Sequence, residues 1–137
     1  MFLRALYYMG RDDQDWINSG TLRDDFIFEP NAEAVHVPLK PEGAGWDALC
    51  RIVDLCRQRE ITLKLVASPF LPGYCQAMEN KSEQMQAFKA ALPEDLPFYD
   101  YMNSISPNQC FADVLHLNKN GSLKLLELMI SDEVFVY

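Results

Sequence analysis

Ile61-Thr62-Leu63-Lys64-Leu65-Val66-Ala67-Ser68-Pro69 decides the fold class of this chain. The run is apolar and β-branched, and Ser68-Pro69 stops it, so a strand over residues 61–67 is predicted. Just upstream, Trp46, Leu49, Cys50, Val53 and Cys56 recur at helical spacing, with Asp47, Arg51, Asp54, Arg57 and Gln58 off that face. The pattern predicts an amphipathic helix from about Ala44 to Glu60. A helix feeding directly into an apolar strand is half of a β-α-β unit.

Downstream the same grammar continues. Pro69 to Gly73 is a loop, and a second helix is predicted from about Tyr74 to Leu92, with Met78, Met85, Phe88 and Leu92 as core contacts and Pro93 as its end. Leu96 to Tyr101 is a short strand, with Pro97 confined to its beginning because proline has no N–H to give a ladder. A loop from Met102 to Leu117 leads to a helix over Lys119–Ile130. Its apolar set is Leu123, Leu126 and Ile130, widened by Leu125, Leu128 and Met129. Glu133 to Tyr137 alternates and predicts an edge strand. The order helix, strand, helix, strand, helix predicts a three-layer α/β fold around a parallel sheet. Sites in such sheets form at the carboxyl ends of strands. Ser68 follows the first strand, and Asp113 and His116 lie in the loop after the next, so one rim holds all three.

Residues 1–42 read as an irregular segment ahead of this 43–137 α/β unit. Phe2 to Met9 fits a helix turn or a strand, Asn18-Ser19-Gly20 is a turn signal, and Pro30, Pro38 and Pro41 keep residues 26–42 largely extended. A short strand is predicted at Ala34–Val37.

At 137 residues, 49% of them apolar, the chain suits one domain with a real core. Twelve basic residues against 20 acidic leave a net charge of -8. Nucleic acid and anionic membranes are thereby excluded as partners, since either needs a basic patch. No apolar run approaches the ~20 residues of a membrane span, and the start lacks a small-residue cleavage site, so no signal peptide is predicted. The cysteines, Cys50, Cys56, Cys75 and Cys110, form no CxxC pair and no zinc spacing. They read as free thiols, with Cys75–Cys110 the one disulfide left open.

The chemistry concentrates in Phe111-Ala112-Asp113-Val114-Leu115-His116-Leu117-Asn118-Lys119-Asn120-Gly121. An Asp three residues before a His can fold back onto one imidazole nitrogen, fix the tautomer and leave the other nitrogen as a general base. The bland alternative is a His that caps a helix beside an Asp that forms a turn. Ser68 reads as a strand terminator and Ser19 as a turn residue. Asp100 ends a strand and bonds loop amides, and His36 has no acidic neighbour at a useful spacing.

The helix-strand-Ser-Pro segment through Ile61–Pro69, the Phe98-Tyr99-Asp100-Tyr101 strand and the D-x-x-H-L-N-x-x-G pattern together resemble the SGNH/GDSL hydrolase superfamily. Within it, the likeness is to the cell-envelope branch of polysaccharide O-acetylation and teichoic-acid D-alanylation proteins, and it covers roughly residues 43–130. The resemblance implies a flavodoxin-like parallel sheet, His116 as catalytic base, Asp113 as its orienter, an acyl-ester or acylated-glycan substrate, and no cofactor or metal. It also implies a nucleophile in a G-D-S motif after the first strand, and this sequence has no G-D-S. The chain is therefore expected to be the C-terminal part of such a domain, inactive alone, with an open sheet edge that favours a homodimer. The alternative is a non-catalytic α/β module that binds a partner.

Overall fold

The computed structural model describes residues 20–30 and 40–135. The expectations for Phe2–Met9, Ser19, the Ala34–Val37 strand and His36 lie outside the described residues.

The first helix, α1 (Gly43–Gln58), forms where the periodicity places it, with Val53 buried and Trp46, Leu49, Cys50 and Cys56 half-buried. It ends in a Schellman motif: Ile61 N–H donates to the Cys56 carbonyl at 2.8 Å and Glu60 N–H to that of Arg57 at 3.2 Å. Glu60 takes the left-handed position, φ 54°. This cap consumes Ile61, so strand β1 is Leu65–Ala67, shorter than the predicted 61–67. Its partner β2 is Phe98–Asp100, and Pro97 sits just ahead of it as expected. The Pro97 carbonyl still accepts the Leu65 N–H at 2.9 Å. The two strands pair in parallel, Leu65 with Phe98, Val66 with Tyr99 and Ala67 with Asp100. They make up a two-stranded sheet among the described residues, and the fold class is mixed α/β.

Three expectations need correction. The predicted single helix over 74–92 is two, α2 (Pro72–Ala77) and α3 (Lys81–Ala91). Pro72 starts α2 early because its fixed φ and missing N–H suit a first turn. The break falls at Met78-Glu79-Asn80, where Met78 turns extended and Asn competes with the helix for backbone bonds.

The last helix, α4 (Lys119–Ser131), has the expected limits but a different orientation. Leu123, Leu126 and Ile130 are exposed, while Gly121 is buried and Leu125, Leu128 and Met129 are half-buried. Both faces carry leucines, so hydrophobicity could not choose between them. The choice is made by Gly121, where an added Cβ would lie 2.1 Å from the Cys110 carbonyl oxygen.

Finally, Glu133 to Phe135 is a turn and not an edge strand. Glu133 takes a left-handed φ of 55°, and the Val134 N–H closes a second Schellman motif onto Met129 at 2.9 Å. Lys64 Nζ donates to the carbonyls of Glu133 and Val134 at 3.0 and 2.8 Å, placing a cation at the negative end of α4.

Strand alternation sorts the helices around the sheet. Phe98 meets Phe88 of α3, with ring centroids 5.8 Å apart, and Phe88 meets Trp46 of α1 at 5.7 Å. Tyr101 points the other way, its hydroxyl donating to Asp132 beyond α4 at 2.7 Å. Two buried clusters fill the body. One joins Met78, Met85 and Met102 beneath Phe98, and the other joins Leu71, Ile105, Cys110 and Phe111 against Leu128. Cys75 and Cys110 are buried free thiols, so the disulfide left open by the sequence does not form. Burial pushes the Cys75 thiol pKa up.

Candidate functional site

The loops after the two strands are stitched together at one rim of the sheet. Phe70 N–H donates to the Met102 carbonyl and Leu71 N–H to that of Val114, both at 3.1 Å. The 3₁₀ turn Asn108–Cys110 then leads into a closed loop. Phe111 and Leu117 form an antiparallel bridge, and the Ala112 N–H reaches the His116 carbonyl at 2.8 Å. Phe111 is fully buried beneath it.

Asn118 clamps the base of this loop and is 3% exposed. Its side-chain oxygen accepts the Gly121 N–H at 3.1 Å, the N-cap bond of α4. Its amide nitrogen donates to the carbonyls of Gln109 at 2.6 Å and Phe111 at 3.3 Å. Both residues of the N-x-x-G half of the pattern thus have structural explanations: Asn118 as cap and clasp, Gly121 as the point where α4 meets Cys110. The cap was legible in the sequence; the clasp was not, because its acceptors are backbone carbonyls.

At the loop tip the Asp113 carboxylate meets His116. Nδ1 lies 2.9 Å from each carboxylate oxygen. One of those oxygens also accepts the backbone N–H of Leu115 at 2.8 Å and of His116 at 2.9 Å. The catalytic and the turn-forming readings of Asp113 are therefore compatible: the turn bonds hold the carboxylate in place for the ring. These bonds, led by the Leu115 N–H and joined by the imidazole, hold the Asp113 pKa below its ordinary value. Both side chains are open to solvent, His116 at 73% and Asp113 at 58%. With Nδ1 occupied by the carboxylate, Nε2 is the nitrogen left to take a proton.

The other residues singled out from sequence fall into place around this pair. Ser68 is exposed just beyond β1, and among the described residues no serine hydroxyl is hydrogen-bonded to His116. Asp100 ends β2 and accepts the Met102 N–H at 3.2 Å, as expected for a strand-ending carboxylate. Among the described residues no group of three or more His, Cys, Asp or Glu is placed to hold a metal, and no helix is long and apolar enough to cross a membrane.

Sequence reasoning missed a strap formed by residues 20–30. Leu22 and Phe28 pack into the Phe111 cluster, and Leu22 N–H donates to the Phe111 carbonyl at 3.0 Å. The Asn108 amide nitrogen lies 3.0–3.2 Å from the carbonyls of Arg23, Asp24 and Phe26. Gly20, φ 82°, stands where a Cβ would lie 3.3 Å from the Ala112 carbonyl oxygen, one residue from Asp113. The only signal for this was the Asn18-Ser19-Gly20 turn. Compared with known proteins, the chain matches no family model, no curated protein and no solved structure.

Proposed function

We propose that Asp113 and His116 are the orienter and base of an SGNH/GDSL-type serine esterase or acyltransferase site, within the C-terminal part of a three-layer, flavodoxin-like α/β domain. The observation that carries this is the carboxylate gripping Nδ1 at 2.9 Å with the ring otherwise open. Nδ1–H donates to the carboxylate, so Nε2 carries a lone pair. It takes the hydroxyl proton as a serine oxygen attacks the ester carbonyl, and then delivers that proton to the departing alcohol. Asp113 stabilises the imidazolium formed between those steps. The substrate is an acyl ester, including acyl groups on glycans.

The serine and the oxyanion donors are the missing parts, and a base without them contributes little because triad members act as a unit. A G-D-S segment joined to this rim supplies them in this proposal. The chain alone is expected to turn over p-nitrophenyl acetate no faster than its His116→Ala variant. Fused to a G-D-S-bearing strand segment, it is expected to gain turnover that His116→Ala and substitution of that serine each abolish. A folded fusion that stays inert, or that ignores His116→Ala, favours the second reading, a non-catalytic α/β binding module. That reading draws on the absence of a serine at His116 among the described residues. Pairing of an open sheet edge with a second copy belongs to the same proposal, and light scattering across micromolar concentrations reads it.

A further inference from the structure

Four residues are enough to bring Asp113 and His116 together, but not to keep them together. Both side chains stand largely in water, His116 73% exposed and Asp113 58%. A contact at such exposure stabilises one geometry only weakly. Its persistence therefore depends on the backbone that carries it. The carboxylate meets the ring and the N–H groups of Leu115 and His116 at once only while residues 112–116 keep their turn. The bond that closes this turn runs from the Ala112 N–H to the His116 carbonyl at 2.8 Å.

What steadies Ala112 comes from far away in the chain. Leu22 of the strap donates its N–H to the Phe111 carbonyl at 3.0 Å. Gly20 lies so near Ala112 that a Cβ there would stand 3.3 Å from its carbonyl oxygen. Between them, the Thr21 hydroxyl meets the Asn118 amide at 3.4 Å. The strap is itself tied down. The Asn108 amide nitrogen lies 3.0–3.2 Å from the carbonyls of Arg23, Asp24 and Phe26. Phe28 stands edge-on to Tyr74 of α2, ring centroids 5.2 Å apart.

We infer that the strap is a positioning element for the Asp113–His116 pair: Gly20 and Leu22 hold the root of the loop, and Asn108 holds the strap. They act on the ring through Phe111 and Ala112, as positioning residues. The effect on the pair stands by itself, and only its consequence for catalysis rests on His116 being the base of an acyl-transfer site.

The tautomer of His116 reads the pair without any substrate, because a carboxylate at Nδ1 selects the Nδ1–H form. Long-range 15N–1H correlation on the full chain measures it at about pH 8.5, roughly two units above the ordinary histidine value. His116→Ala identifies the signals of His36, and Asp113→Ala gives the ratio for a ring with no partner carboxylate. In the natural chain the Nδ1–H form is expected to predominate. Gly20→Ala presses a methyl group, at a left-handed φ of 82°, against Ala112. Asn108→Ala releases the strap carbonyls. Each is expected to move the ratio toward the Asp113→Ala value by at least about threefold, a change within the modest strength of an exposed pair. Ile27→Ser, at a strap position 78% exposed, should leave the ratio unchanged. Spectral dispersion shows that each variant is folded. A natural chain that matches Asp113→Ala, a ratio unmoved in either folded strap variant, or one moved as far by Ile27→Ser would overturn the inference. A lowered Tm does not rescue it, since a merely structural role lowers stability without touching the tautomer. A ratio that moves as expected while the G-D-S fusion stays inert would leave the positioning role intact and sink the esterase proposal. A fusion with His116-dependent turnover whose tautomer ignores the strap variants would do the reverse.

Discussion

Replacing Asn118 separates the two jobs of one buried amide. Asn118→Ala removes the N-cap bond to Gly121, worth about 1 kcal/mol. It also removes the donations to the Gln109 and Phe111 carbonyls. The Phe111 carbonyl keeps the Leu22 N–H, so the main further loss is at Gln109, about 1 kcal/mol, plus a small void. The total is about 2–3 kcal/mol, or roughly a 10 °C fall in Tm for a chain of this size. Asn118→Ser keeps a cap and loses the clasp, so about half that cost is expected. Asn118→Asp is the discriminating case. It keeps the cap acceptor at a helix N-terminus, where a negative charge is favoured. It also turns a buried donor into an acceptor facing two carbonyl oxygens. If the clasp matters, Asp costs at least as much as Ala at pH 7, and its deficit shrinks toward pH 4 as the carboxyl protonates and can donate again. Urea unfolding followed by circular dichroism at both pH values measures the series. An Asp variant as stable as the natural chain, or an Ala variant within 0.5 kcal/mol of it, would show that the clasp contributes nothing.

Asp113 has a depressed folded pKa, so its contribution is present above the ordinary carboxylate value of about 3.9 and is lost as pH falls through the folded value. The stability difference between the natural chain and Asp113→Asn should close as pH falls below about 4, with solvent exposure keeping it small. The Tyr101 phenol, desolvated by burial and donating to Asp132, is pushed up to about 12. Its contribution is present below the ordinary tyrosine value of about 10 and is lost between there and about 12, so Tyr101→Phe should flatten that alkaline slope and cost about 1 kcal/mol at pH 7. Gly121→Ala should destabilise by about 3 kcal/mol in thermal unfolding despite alanine's better helix propensity, because relieving a 2.1 Å approach to a carbonyl to 3.4 Å moves α4 by over an ångström. Glu60→Gly should raise stability by about 0.5–1 kcal/mol, since Glu60 holds a left-handed φ of 54° at no gain to its side chain; an unchanged unfolding midpoint would count against it.

Much of this molecule is local, and local features are legible. The α1 face from Trp46 to Cys56 is a periodicity, and Pro97 bars a donor wherever it is placed. The Asp113–His116 contact is closed within four residues, so the spacing alone predicts it. Asn118 as a cap is equally local. What failed to show depended on partners distant in the chain. Residues 61–64 are as β-prone as 65–67, yet Ile61 is drawn into the cap of α1 and the partner strand starts only at Phe98.

The sequence by itself determined the mixed α/β class, the approximate limits of α1 and α4, the parallel strand pair and the His–Asp pair, because each follows from a short-range period, a chain-stiffening proline or a three-residue reach. Tertiary structure alone decided which leucines of α4 turn inward, where β1 begins, that Glu133–Phe135 closes a helix, and that the strap at Leu22–Phe28 lies against the site loop. The physical reason is the same in each case. Two faces or two conformations were nearly equal in local free energy, and a single long-range contact, such as Gly121 against the Cys110 carbonyl or Lys64 on those of Glu133 and Val134, tipped the balance.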